Sequence, residues 1–252
     1  MSLERTAAGR RPPPAETPGT WDSFCAVGWL ARRTTTRALV IALLLVSFAV
    51  ILGLAIATGE LLELAERPNG STAFDRSVTS WVVAHRTSAL TTLARVLSTL
   101  GSQAVLIPAV GLVVAAQLIS RRWLLAGLLL AAWGGALLLY NLTKYFVHRP
   151  RPPAAIWLTN VGKSTSFPSG HATQSLATFL ALALVGAAWL SRARRPGKVC
   201  ALVLAAGVGW SRVYLGVHWT TDVGAGWLIA TAWVVAVVWL AGRANSVFTS
   251  TG

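Results

Sequence analysis

Long apolar runs alternate with short polar connections along most of the chain. The first run, Ala38–Thr58 ("ALVIALLLVSFAVILGLAIAT"), contains no charge. At about 1.5 Å per helical residue it is long enough to cross a hydrocarbon core of about 30 Å. Further runs predict spans over about Leu97–Ile119, Trp123–Val147, Gly170–Leu190, Val199–Leu215 and about Thr221–Ala241. Ser98, Thr99, Ser102 and Gln103 dilute the start of the second run, and the fifth is short and ends in polar residues. The expected fold is all-α: a polytopic membrane helix bundle with six transmembrane helices.

The polar segments complete the expected organisation. Residues 1–37 form a basic, Pro-rich tail ("RRPPPAETPGT") of disordered character. The first run starts too late and is too long for a secretory signal, so it reads as a retained span. Residues 38–241 make the membrane domain and 242–252 a short second tail. Within the domain, the connection 59–96 has helical periodicity in "FDRSVTSWVVAHRTSALTTLARVL". It predicts one or two amphipathic helices at the outer interface, with Trp81 at headgroup level.

Composition agrees with this class. Of 252 residues, 54% are hydrophobic and 12% charged, against about 25% charged in a soluble domain. The net charge of +14 would point to nucleic acid in a soluble protein. Here its distribution gives another reason. The tail carries Arg5, Arg10, Arg11, Arg32, Arg33 and Arg37; the second-to-third turn is Arg121-Arg122; the fourth-to-fifth loop is "SRARRPGK". With six spans all three fall on one side, which the positive-inside rule makes the cytoplasm. Both termini are then cytoplasmic in a multi-pass cell-membrane protein, and nucleic acid is not an expected partner. Cys25 and Cys200 fall on the same reducing side, so neither a disulfide nor a zinc site is expected.

Three outward-facing clusters concentrate polar residues that spans do not explain, and the connection after the third span also breaks the charge rule. "KYFVHRPRPP" places Lys144, Arg149 and Arg151 at the outer end of the third span. A snorkelling lysine and a Pro-rich helix stop would account for it equally well. In "FPSGHATQS", Ser169 reads as an N-cap, with Gly170 and His171 in the first helical turn. A helix start offers free N–H groups to an anion, and glycine permits close approach. In "RVYLGVHWTTD", His218 and Asp222 are four apart and share one helical face. A carboxylate there can accept the Nδ1 proton and leave Nε2 free to attack. A plain interface salt bridge between Asp222 and Arg212 is the alternative.

Together these parts suit phosphoryl transfer, which is chiefly positioning and charge stabilisation. Arginine forks match phosphate oxygens. A magnesium site or a two-carboxylate glycosidase is disfavoured, because no carboxylate but Asp222 lies near the clusters. A serine-hydrolase reading of Ser169 or Ser211 leaves Lys144, Arg151 and Arg212 unexplained.

On these residues the sequence resembles the type 2 phosphatidic acid phosphatase family, which shares its active-site pattern with vanadium haloperoxidases. Its three motifs match Lys144…Arg151-Pro152, Pro168-Ser169-Gly170-His171 and Ser211-Arg212…His218…Asp222, over a resemblance spanning roughly residues 38–241. The resemblance implies a metal-independent lipid phosphate phosphohydrolase without cofactor, with its active site at the extracytoplasmic membrane face. His218 is the implied nucleophile and Asp222 its orienter, with His171 the acid for the leaving alkoxide. Lys144, Arg151, Arg212, Ser169 and Gly170 are the implied phosphate binders. His148 and Arg149 lie outside the motifs and are expected to be helpers at the mouth or to have no role. Phosphatidate, phosphatidylglycerophosphate, diacylglycerol pyrophosphate and isoprenyl pyrophosphates all fit as substrates. A lipid-dependent phosphotransferase, a haloperoxidase-like protein and a non-catalytic lipid binder are the competing classes.

Overall fold

The computed structural model describes residues 20–65, 71–162, 164–187 and 194–249. Among these the protein is all-helical, with α1 (Thr20–Ala65), α2 (Ala73–Ala84), α3 (Ser88–Leu100), α4 (Gln103–Ile119), α5 (Trp123–Phe146), a single 3-10 turn (Ala154–Ile156), α6 (Gly170–Ala187), α7 (Arg194–Tyr214) and α8 (Thr220–Thr249). The chain divides into two compact units at Leu39 and Val40. The second holds all of the packing described below.

The predicted spans recur as helices, with informative differences. α1 and α8 overrun the first and sixth runs, so the expected tails are helical from Thr20 and as far as Thr249. Residues 1–19 lie outside the described residues. Helix α7 starts at Arg194, so Arg195 and Lys198 belong to its first turns and not to a loop. The second predicted span is broken: α3 and α4 meet at a bend of 43°. Its cause is local. Gly101 ends α3, and a Cβ there would lie 2.3 Å from Val208 of α7. Ser102 precedes α4, with its hydroxyl turned back onto the Thr99 carbonyl at 2.7 Å. The polar residues that diluted this run therefore form a corner. The connection before it holds two helices, as expected, capped by the Thr72 and Thr87 hydroxyls.

Three helical stretches among the described residues are long and apolar enough to cross a membrane: Ala38–Leu64, Trp123–Phe146 and Thr220–Arg243. Counting the bent α3–α4 pair as one broken span gives a fourth. Helices α6 and α7 do not meet that test. Helix α6 has a physical reason to be less apolar. Its residues from Ala172 to Thr178 are buried in protein, including Thr173, Gln174, Ser175 and Thr178, so lipid does not constrain their polarity. Small residues set the packing. Ala132, Ala136, Ala177, Ala181 and Ala230 are fully buried in the core that joins α5, α6 and α8. A Cβ at Gly135 would fall 2.2 Å from the Trp233 indole, so α5 and α8 can approach this closely only with glycine there.

Candidate active site

The three polar clusters converge on one cavity of about 370 Å³. Lys144 enters from the last turn of α5, His171 from the first turn of α6 and Arg212 from the last turn of α7. Arg151 and His218 come from the connections that precede α6 and α8, and Gly170 also lines the wall. The opposite wall is the α3–α4 corner, with Ser98, Thr99, Ser102 and Gln103. Sequence reading missed this wall, because hydroxyl residues beside a helix break carry no signature of their own.

The connection after α5 is extended because Pro150 and Pro152 disfavour helix in the residues before them. The Arg151 Nε and Nη2 groups donate to the Ser164 carbonyl and hydroxyl, each at 2.8 Å, and Nη1 donates to the Val217 carbonyl. Lys144 Nζ donates to the Thr165 carbonyl at 2.6 Å. Arg212 Nη1 donates to the Ser98 hydroxyl at 2.5 Å, while its Nε is buried with no hydrogen-bond partner. Among the described residues none of these three cations forms an ion pair. A cavity walled by cations without carboxylates favours an anion.

His218 is buried, with 3% of its side chain exposed. Arg151 Nη1 lies 3.1 Å from its Nε2. Arginine can only donate, so Nε2 accepts and the proton of the neutral ring sits on Nδ1. That Nδ1 faces Asp222 Oδ2 at 3.4 Å, an approach longer than a hydrogen bond. Burial, then Arg151, Lys144, Arg212 and His171, hold the His218 imidazole well below its usual basicity. It is therefore neutral at physiological pH, the form that carries a nucleophilic lone pair.

Asp222 is completely buried behind His218. Its Oδ2 accepts from the Trp219 N–H at 2.9 Å and from the Ser166 hydroxyl. Its Oδ1 accepts from Arg149 Nη1 at 2.5 Å. The salt bridge expected as an alternative with Arg212 is thus made by Arg149 instead. This corrects the expectation for Arg149, which is no helper at the mouth: it is fully buried between Asp222 and Asp75, with Nη2 2.8 Å from Asp75 Oδ2. It also corrects the expectation that no other carboxylate is near. Asp75, at the start of α2, reaches the cluster across 146 residues, far beyond any spacing rule. His148 is exposed and does not line the cavity. Ser169 is fully buried and does not line it either; its hydroxyl accepts from the Ala172 N–H at 3.4 Å.

Helices that carry such a cation-lined cavity point to a class, and comparison with known proteins names it. Residues 122–246 match the model of the PAP2 superfamily. Phosphatidylglycerophosphatase B of Bacillus subtilis is 30% identical over 166 residues, 65% of this chain and 81% of that protein. An undecaprenyl-diphosphatase of Sulfolobus acidocaldarius is 38% identical over 69 residues, 27% of this chain and 30% of that protein. The crystal structure of a transmembrane PAP2-type phosphatidylglycerolphosphate phosphatase from Bacillus subtilis superposes with a TM-score of 0.67 at 26% identity, covering 76% of this chain and 96% of that one. The chain belongs to the PAP2 superfamily. It is a multi-pass membrane hydrolase of lipid phosphate metabolism.

Proposed function

We propose that the protein removes phosphate from a phospholipid or isoprenyl (pyro)phosphate at the outer membrane face through a phosphohistidine. The observation that carries this reading is the buried His218, its Nε2 turned to Arg151, set against a cavity edged by Lys144, Arg151 and Arg212. The incoming phosphate draws Arg151 from Nε2 onto its own oxygens. The Nε2 lone pair then attacks the terminal phosphorus, and its bond to the leaving oxygen breaks, the lipid oxygen in a monophosphate or the bridging oxygen in a diphosphate. His171 gives that oxygen a proton and afterwards takes one from the attacking water. As water adds, the phosphorus–nitrogen bond breaks and inorganic phosphate leaves. Asp222 stabilises the positive charge that His218 gains on attack.

The reaction needs no metal in this reading. Asp75 and Asp222 are engaged by Arg149, Thr221, Ser166 and Trp219. Six crossings, counting α6, whose Ala172–Thr178 stretch is buried among its neighbours, and α7, keep the basic segments on the cytoplasmic side and the cavity outside. Phosphatidylglycerophosphate is the first substrate to test, since the relative matched over most of its length carries that activity in its name. The undecaprenyl-diphosphatase match covers much less of each chain and makes an isoprenyl diphosphate the second.

The test is phosphate release by purified protein in detergent from a panel of lipid monophosphates and diphosphates, with and without excess EDTA. Release is expected from at least one lipid and is expected to survive EDTA. Rescue by magnesium of an EDTA-silenced enzyme would overturn the metal-independent route. Orientation has its own check in a variant lacking Cys25 and Cys200. A cysteine at the exposed Asn160 should react with an impermeant thiol reagent in intact cells, and one at Lys198 should not.

A further inference from the structure

Arg149 needs an explanation that phosphate binding does not give. It is fully buried and absent from the cavity wall, and its guanidinium is divided between two carboxylates. Burying two carboxylates and a guanidinium costs several kcal/mol per ion unless each is fully paired. Here the pairing is complete and also has a direction. Asp75 accepts from the Thr221 N–H at 3.0 Å and from the Thr221 hydroxyl at 2.6 Å. The same hydroxyl lies 2.8 Å from Arg149 Nη1. Thr221 immediately precedes Asp222, so Asp75 grips the turn of α8 that carries the orienting carboxylate.

We infer that Arg149, anchored by Asp75, is a positioning residue for His218, fixing the Asp222 carboxylate and setting how strongly it draws a proton onto the imidazole. The inference rests on the reading of His218 as the nucleophile. With Oδ1 held by Arg149 and Oδ2 by Trp219 and Ser166, the Asp222 carboxylate has no free rotation, and one oxygen stays against His218 Nδ1. Charge gives the second half of the argument. His218 is faced by Arg151 from the connection after α5, Lys144 from α5, His171 from α6, Arg212 from α7 and Asp222 from α8. Of these only Asp222 favours protonation of the ring. Arg149 neutralises part of that pull, while Asp75, on the far side of Arg149, in turn moderates the guanidinium.

Three variants separate this role from simple scaffolding. Arg149→Lys keeps the charge and loses the fork. Its kcat should fall by about 10–10²-fold, the loss of a hydrogen bond to a charged group, with KM and the acid limb of kcat/KM unchanged. Arg149→Gln combined with Asp75→Asn removes one charge of each sign, and the cation removed is the one nearer Asp222. The acid limb should then move up, on the order of one pH unit, because Asp222 acts on His218 unopposed. Asp75→Asn alone leaves Arg149 wholly to Asp222, and its acid limb should lie no higher than that of the unsubstituted protein. KM should hold in all three, since none of these side chains reaches the cavity.

A scaffold would behave otherwise, lowering the active fraction in every variant and leaving the pH profile in place. Superimposable acid limbs in the double variant and the unsubstituted protein, or a rise in KM matching the loss of rate, would overturn the inference. Single-turnover trapping of labelled phosphate on the unsubstituted protein runs in parallel. If the label is on no histidine, the underlying reading falls and takes the inference with it. If His218 carries the label and the acid limbs coincide, the inference alone falls.

Discussion

Arg149 and Arg151 stand two residues apart in one extended segment, yet they meet opposite surroundings. Arg151 lines the cavity and donates to carbonyls, a serine hydroxyl and a histidine nitrogen, with no carboxylate partner among the described residues. Arg149 is sealed from solvent between Asp75 and Asp222. The difference separates cations open to a ligand from cations engaged by the protein itself. A charge bordering a cavity and bonded only to neutral groups retains most of its field for an incoming anion. A charge divided between two carboxylates has spent its field inside the protein and holds shape. Lys144 and Arg212 fall with Arg151 on this criterion, and the Asp75–Arg149–Asp222 chain forms the other group a few ångströms behind them.

That contrast can be broken at several points. The largest effect is expected at the boundary between the two regions. His218→Ala should lower turnover by about 10⁴-fold or more and abolish phosphate trapping on the protein, with the melting temperature little changed. Residual trapping would place the nucleophile elsewhere. His171→Ala comes next, with a loss of about 10²–10⁴-fold on alkyl phosphates. In single turnovers part of that loss should return with p-nitrophenyl phosphate, whose leaving group needs no proton. Equal losses on both substrates would remove His171 from the acid role.

Behind the wall, Arg149→Met should destabilise the fold by about 3–5 kcal/mol, because it strands Asp75 and Asp222 without a cation. Denaturant or thermal unfolding would read this directly, and an unchanged midpoint would mean that the network is dispensable. On the wall, Lys144→Met and Arg212→Met should each lower kcat/KM by about 10²–10³-fold while leaving the unfolding midpoint equal or higher, since each relieves like-charge crowding. A matching loss of stability would erase the distinction between the two regions. The smallest effect belongs to Ser169→Ala. Its hydroxyl caps the α6 backbone, so about 1 kcal/mol of stability should go with KM nearly intact. A large rise in KM would restore the expectation that Ser169 binds phosphate itself.

Much of this protein was legible in order of distance along the chain. Local features were read well. Apolar runs gave the helices, the Pro-rich run follows the end of α5, and Ser169 marked the start of α6. His218, by contrast, lies in the connection before α8 and meets Asp222 across a turn and not on a shared helical face. Features depending on two distant segments were not legible. The α3–α4 bend follows from Gly101 packing against Val208 of α7. Arg149 lies outside the motif spacing that picks out Arg151, and nothing nearby in sequence reveals its pairing with Asp75 and Asp222.

Sequence by itself determined the helical membrane class, the order of the elements and the identities of the groups proposed to hold and attack a phosphate. Hydrophobic runs, caps and i,i+4 spacings act within a turn or two of the chain, where the helix repeat fixes geometry. Tertiary structure alone decided which charges are spent and which are kept. An ion pair forms wherever the folded chain brings opposite charges within reach, whatever their separation in sequence, and Asp75 reaches Arg149 only because α2 packs where α8 begins. Among the described residues that long-range pairing leaves Lys144, Arg151 and Arg212 with no carboxylate partner, and so gathers a list of polar residues into the cation-lined cavity proposed to take the phosphate.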